Sequence, residues 1–248
     1  MAATPAFAVA PHTGTESYKD VELTQKRKVI AKRLIVSKFS APHFYLTIEM
    51  NMDNAMAART KMNEISPVKI SFNDMLIKAA AMALVQHPDV NSSWMPAPPE
   101  AGGDFIRQNQ HIHIGSALAL PEGLIVPVIK FANEKTLSQI AGGAKGLYQK
   151  AKDKKLQPAE FSGNTFTISN LGMMGIEEFT AIINPPVSAI LAVRSIKETE
   201  VVKEGAFVIA NIMKLMLSCD HRSVDGAVGA SFLGTLKRYI ENPVMMLV

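Results

Sequence analysis

Hydrophobic positions along this chain recur in two rhythms. In "HFYLTIEMNMD", Phe44, Leu46, Ile48, Met50 and Met52 alternate with Tyr45, Thr47, Glu49 and Asn51, which is the period of a strand with one buried face. Further strands are predicted at "HIHIGSALAL" and "LIVPVIK", joined by the turn "PEG", and at "NTFTISNLG", "VSAILAVRSI" and "FVIANIMKLMLSCD". Helical spacing appears in "ELTQKRKVIAKRLIVSKF", where Thr24 can cap and Ile30, Leu34 and Phe39 mark one side. It returns in "DNAMAARTKMNEI", with Asp53 as the expected cap, and in "SFNDMLIKAAAMALVQHP". There Ser71 stands three residues before Asp74 in capping-box spacing and Pro88 ends the run. That Ala-rich segment is apolar almost all round and should be deeply packed. Helix is also expected from Leu137 to Asp153 and over "VDGAVGASFLGTLKRYIEN". "PAPPEAGG" reads as a loop. Strands and helices mix without strict βαβ alternation, which points to a two-layer α/β (α+β) fold with a mixed sheet and helices on one face.

Composition narrows the function classes. At 248 residues and 48% hydrophobic content the chain can bury a large core. One cysteine rules out an intrachain disulfide framework and suits a reducing compartment. The longest apolar stretches are short and interrupted by Pro or Lys, so no membrane helix is expected. Residues 1–20 are rich in Ala, Pro, Thr and Gly and lack the basic start of a signal peptide. They read as a flexible linker before a domain at 21–248, which would make the chain a piece of a longer one. A net charge of +4 permits an anionic ligand. The run "KGLYQKAKDKKLQ" fits a solvated helix face better than a phosphate site. At 6% aromatics, and with no recognition motif, nucleic-acid binding is not expected.

Candidate chemistry concentrates in "LSCDHRSVDGAVG". Cys219 and His221 share a side if the strand continues, so a Cys–His nucleophile pair has to be weighed against plain packing of the cysteine. His221 stands where a strand gives way to a helix, with Asp220, Arg222 and Asp225 near it. That setting suits a general base as well as a structural histidine. In "TFTISNLGMMG" a strand ends at Ser169 and Asn170 before Gly172 and Gly175. The serine can be a turn cap or a hydroxyl aimed at an oxyanion. His111 and His113 could pair on one strand face, but no third metal ligand has suitable spacing, and no metal site is expected. "AGGAKG" lacks the full phosphate-loop pattern.

Together, "SCDHRSVDGAVGA", "FTISNLGMMGIEEFTAIINPP" and "RKVIAKRL" closely resemble the catalytic core of the dihydrolipoamide acyltransferases of 2-oxo acid dehydrogenase complexes, over about Glu22 to Val248. "NSSWM" and "KLQPAEFSGNTFTISNLGM" look most like the acetyltransferases of pyruvate complexes. The resemblance implies a chloramphenicol acetyltransferase-like fold, active as a trimer. It implies transfer of an acetyl group from S-acetyl-dihydrolipoamide to coenzyme A, directly and without an acyl-enzyme. By that resemblance His221 is the general base, Ser169 the hydroxyl facing it from a neighbouring subunit, and Asp225 the acid of the motif. Arg27, or alternatively Arg33, is the arginine that would pair with that acid. Ser71, Phe72 and Asn170 would line the coenzyme A site. Ser223 stands where the motif is more often apolar.

The resemblance further implies that the lipoyl group arrives on a separate upstream domain, and that no cofactor is bound covalently here. Pyruvate dehydrogenase and dihydrolipoamide dehydrogenase components would attach through further upstream domains. The setting would be a bacterial cytoplasm or mitochondrial matrix. The apolar end "NPVMMLV" either tucks into its own subunit or docks trimers into hollow cubic or dodecahedral cores of about 24 or about 60 chains. Succinyl or branched-chain specificity, a non-catalytic core subunit and an antibiotic acetyltransferase are the alternative functions.

Overall fold

The computed structural model describes residues 14–97, 103–121 and 123–247, with Lys26 described by its backbone alone. The part of the linker expectation that covers residues 1–13 lies outside these. Residues 14–24 carry no regular secondary structure. The helices are α1 (Gln25–Ser40), α2 (Asp53–Ile65), α3 (Phe72–Gln86), α4 (Leu137–Lys152) and α5 (Gly226–Glu241). The strands are β1 (His43–Asn51), β2 (Ser92–Met95), β3 (Phe105–Gln108), β4 (Ile114–Leu120), β5 (Gly123–Ile125), β6 (Val128–Ile129), β7 (Phe166–Asn170), β8 (Ala189–Lys203) and β9 (Ala206–Asp220). Seven strands form a mixed sheet in the order β1-β9-β8-β7-β4-β5, with β6 also on β4; β2 and β3 make a separate hairpin. β7 runs parallel to both β4 and β8, and β9 is antiparallel to β1 and β8.

Alternation along the strands decides the layers. Ile114, Phe166, Ile168, Leu191, Leu215 and Leu217 turn to one face and pack under α3 and α5 in a single core with Leu76, Leu84, Phe232 and Leu236. The small Ala79, Ala80, Ala81 and Ala83 let α3 lie close to its neighbours. Its start is the expected capping box, with the Ser71 hydroxyl accepting from Asp74 N and the Asp74 carboxylate accepting from Ser71 N. α5 approaches β1 so closely that a Cβ on Gly229 would stand 2.9 Å from Leu46 Cδ1.

Several expectations shift. Asp53 is not the cap of α2: Met52 holds that position, and Asp53 is the first helical residue. Its carboxylate instead accepts from the backbone and side-chain nitrogens of Asn211. The Asn211 amide, foremost among its partners, holds the Asp53 pKa below the ordinary value. A long-range partner on β9 thus claims the oxygen that local spacing assigned to the helix. Pro127 cannot donate to a ladder, so "LIVPVIK" splits into β5 and β6. The hairpin of β2 and β3 was not anticipated, because Pro and Gly between its strands mask a short non-alternating pair. "AGGAKG" lies inside α4.

Two histidines, His113 buried and His87 half-buried, make stability pH-dependent. His113 Nδ1 accepts from Phe131 N at 3.1 Å, and His87 Nε2 meets Thr235 Oγ1 at 2.8 Å. Burial, above all, lowers both pKa values from the ordinary imidazole value. A lowered folded pKa means that the unfolded chain binds the proton first, so this contribution is complete above the ordinary value and shrinks as pH falls. Melting temperature should therefore drop as pH is taken from about 7.5 to about 5.5. A flat profile over that window, measured by differential scanning fluorimetry, would contradict it.

Candidate active site

The strand β9 ends at Asp220, and a tight turn follows before α5. Asp220 O accepts from Ser223 N and Val224 N, and His221 N donates to Pro42 O at 3.0 Å. This turn lifts the His221 side chain out of the core, leaving it 54% exposed with its ring 4.8 Å from that of Phe44. Asp225 takes the N-cap position of α5 in extended backbone and makes no side-chain cap bond. Its Oδ1 lies 3.9 Å from His221 Nδ1, too far for a hydrogen bond but on the side of the ring that a modest rotation would bring to it. The hydroxyl of Ser223 donates to Ser188 Oγ at 2.6 Å, which gives a polar residue in that position a partner.

Cys219 is not a nucleophile here. Its side chain belongs to the helix-covered core, and burial, with a smaller push from Asp220, raises its pKa to about 12. The thiolate is therefore negligible near neutrality.

Ser169 lies at the end of β7. Phe166 and Ile168 face the helices, so Ser169 faces the opposite side of the sheet. Among the described residues no group hydrogen-bonds to its hydroxyl, which is half-buried and free to serve another acceptor. After Asn170 the backbone turns hard against β8: Leu171 N donates to Val193 O, and Gly172 N donates to Asn170 Oδ1 at 2.9 Å. A Cβ on Gly172 would fall 2.6 Å from Arg194 O, so only glycine fits there.

The coenzyme A candidates gather on the other face of the same strand end. Asn170 Nδ2 donates to Asn73 Oδ1 at 3.2 Å, and Asn73 Nδ2 donates to Tyr148 OH at 3.2 Å and more weakly to Ser116 Oγ. Ser116 Oγ and Tyr148 OH are 2.7 Å apart. This chain ties the end of β7 to the N-terminus of α3, where Ser71 hydrogen-bonds Asp74 and Phe72 carries the Arg59 guanidinium 4.4 Å above its ring. Burial, first of all, pushes the Tyr148 pKa up, so its phenol stays protonated. Asn73, Ser116 and Tyr148 were missed from sequence. The "FND" run and the serine two residues into β4 were visible, but nothing local joined them.

The register separates the two halves of the candidate site. Ser169 pairs with Ala192 on β8, Ala192 with Met216 on β9, and His221 follows five residues later. Two strand spacings across and five residues along put about 19 Å between Ser169 and His221 within one chain. Neither proposed arginine closes on Asp225. Arg33 Nη2 donates to Pro185 O at 3.3 Å, and the exposed Arg27 offers its backbone N to Thr24 Oγ1. The expected pairing of Asp225 with Arg27 or Arg33 is therefore not made within the chain, because α1 docks on the 183–185 segment instead. The rings of His111 and His113 lie 4.3 Å apart and tilted by 56°, and among the described residues no three metal-ligating side chains converge.

Comparison with known proteins places this geometry. Residues 15–248 match the family described as 2-oxoacid dehydrogenases acyltransferase (catalytic domain). The pyruvate dehydrogenase complex acetyltransferase component of Rickettsia prowazekii is 46% identical over 94% of the chain and 57% of its own length. The mitochondrial component of Schizosaccharomyces pombe is 44% identical over 100% of the chain and 51% of its own. The chain thus spans about half the length of these relatives. Among solved structures, the Azotobacter vinelandii dihydrolipoamide acetyltransferase superposes with a TM-score of 0.86 at 31% identity, covering 97% of this chain and 100% of that one. A cubic core of the pyruvate dehydrogenase multienzyme complex gives the same figures. Chloramphenicol acetyltransferase, at 12% identity and a TM-score of 0.54, shares the fold alone. With the family matched along almost its whole length and the mixed sheet superposed on solved cores, this chain belongs to the catalytic-domain family of the 2-oxoacid dehydrogenase acyltransferases.

Proposed function

We propose that this chain transfers an acetyl group from S-acetyl-dihydrolipoamide to coenzyme A, as the core of a pyruvate dehydrogenase complex. The observation that carries this reading is the exposed His221 on its Asp220-organised turn, with an unengaged Ser169 hydroxyl too distant to meet it in the same chain. Such a site is completed only between copies. The names of the relatives at 44–46% identity support the acetyl assignment. The Azotobacter structure was studied for the role of a serine, a histidine and an asparagine four positions after it. His221 and Asp225 have that spacing here, with aspartate in the last place.

In the mechanism, Nδ1 of His221 turns towards Asp225, and Nε2 takes the proton of the coenzyme A thiol. Between an ordinary thiol and an ordinary imidazole that transfer is uphill by about two pKa units, or ~2.7 kcal/mol, a small part of an activation barrier. The thiolate adds to the thioester carbonyl of acetyl-dihydrolipoamide. Ser169 of the adjoining copy donates to the tetrahedral oxyanion, and the C–S bond to the dihydrolipoyl sulfur breaks as that sulfur recovers the proton from His221. Every proton and electron pair is accounted for without an acyl-enzyme. Ser71, Phe72 and Asn170 border the coenzyme A entrance, and the lipoyl arm comes from a separate domain.

Three copies arranged head to tail satisfy the separation of Ser169 and His221, and the trimers join into a larger core. In support, Met246 is buried while Val244 and Leu247 remain largely exposed. Met246 and Leu247 line a cavity of about 710 Å³ together with Met62, Ile65, Met82 and Tyr239. The apolar end therefore partly tucks into its own chain and offers the rest to a neighbouring trimer. A bacterial cytoplasm or a mitochondrial matrix is the setting this reading implies, supported by bacterial and mitochondrial relatives.

The test is coenzyme A acylation by the assembled protein with acetyl-, succinyl- and isobutyryl-dihydrolipoamide in parallel. Acetyl transfer should dominate. A succinyl or branched-chain preference would move the chain to a sister complex, and silence with all three would make it an anchoring core.

A further inference from the structure

The chain has one tryptophan, and nothing in the mechanism above uses it. Trp94 lies in β2, which pairs antiparallel with β3. Its ring stands 4.7 Å from the Arg222 guanidinium, and its Nε1 donates to Asp104 Oδ2 at 3.2 Å. The other Asp104 oxygen accepts from Ala97 N, so the indole is held at its far edge. Arg222 in turn grips Asp220, with Nε to Oδ1 at 3.0 Å and Nη2 to Oδ2 at 2.7 Å. Asp220 Oδ1 also accepts the backbone N of Arg222 at 3.1 Å. This buried carboxylate and its carbonyl therefore shape the turn on which His221 is presented.

The hairpin itself is anchored to the same place. Ser188 N donates to Ser92 O, Asp220 N donates to Ser188 O, and Ser93 forms a bridge with Val187. The indole is thus a fixed surface rather than a loose cover. A ring face over a guanidinium attracts the cation and keeps water from one side of it, and an ion pair shielded from water holds more tightly. Asp220, foremost, and Asp104 at longer range stabilise the Arg222 charge.

We propose that Trp94 is a positioning residue for His221, acting through Arg222: its face locks the Arg222–Asp220 pair and so fixes the turn that aims the imidazole. The proposal rests on the acyl-transfer reading, since it concerns the placement of that reaction's base. A base displaced by a fraction of an ångström loses rate while the substrate sites stay intact.

The experiment compares Trp94→Phe, which keeps a ring face, with Trp94→Leu, which keeps bulk alone, in the assembled protein. Trp94→Leu should lose roughly tenfold in kcat, with KM for coenzyme A and for acetyl-dihydrolipoamide within about twofold of wild type. Trp94→Phe should stay within about twofold in kcat. In an Arg222→Gln background, which itself loses about the same factor, Trp94→Leu should cost nothing further. Wild-type kcat in Trp94→Leu, equal losses in the two Trp94 variants, or factors that multiply across the cycle would each overturn the proposal. Should Trp94→Leu fail to assemble, full turnover in Arg222→Gln alone would overturn it. A wild-type protein that transfers no acyl group would instead remove the reaction itself, a separate outcome from an active enzyme indifferent to Trp94.

Discussion

Replacing His221 by alanine should lower acyl transfer by at least about a hundredfold while the protein still assembles, because a positioned base typically supplies about 10²–10⁴ in rate. The geometry makes this substitution clean. The His221 side chain is 54% exposed, and its contacts are the Phe44 ring and a carboxylate 3.9 Å away. Its backbone bond to Pro42 O survives any side chain. Little packing is lost, so the melting temperature should move by no more than an exposed substitution normally causes. The deficit should lie in kcat and shrink as pH rises, since hydroxide and the free thiolate become available without the base. A variant that retains wild-type turnover at neutral pH would show that proton abstraction is done elsewhere.

Ser169→Ala should cost about a hundredfold or more in kcat, ~3 kcal/mol, with little change in KM, because its hydrogen bond forms only as the carbonyl oxygen gains charge. The register adds a stronger expectation. With about 19 Å between Ser169 and His221 in one chain, each site draws its two groups from different copies. Co-expressing the His221→Ala and Ser169→Ala chains should then restore activity that neither has alone. In a head-to-tail ring, a working site needs an intact histidine on one side and an intact serine on the other. Random mixing of equal amounts gives that at half times half, about a quarter of the wild-type sites. Recovery to that level, measured on particles purified with both chains tagged differently, would establish the shared site. A mixture no more active than its parents would end the interface reading.

Much of this was legible in the chain itself. The alternation from Phe44 to Met50 became β1, the Ser71 and Asp74 spacing became a capping box, and α4 begins at Leu137 as expected. These succeed because each depends on neighbours within about one helical turn or one strand pleat. The motif around His221 was recognisable for the same reason: turn, base and acid are contiguous. Where long-range partners compete, local spacing misleads. Asp53 looked like a cap until Asn211 on β9 took its carboxylate.

Local pattern by itself determined the five helices and the longer strands, and which of their faces are apolar. Only the tertiary structure decided that β7 lies two strands from β9, that Ser169 faces away from the helices, and that Trp94 lies against Arg222. The physical reason is that a period of two or of 3.6 residues encodes a buried face but not the neighbour that buries it. Strand order and register come from closing one common core, and that closure sets the distance between the serine and the histidine.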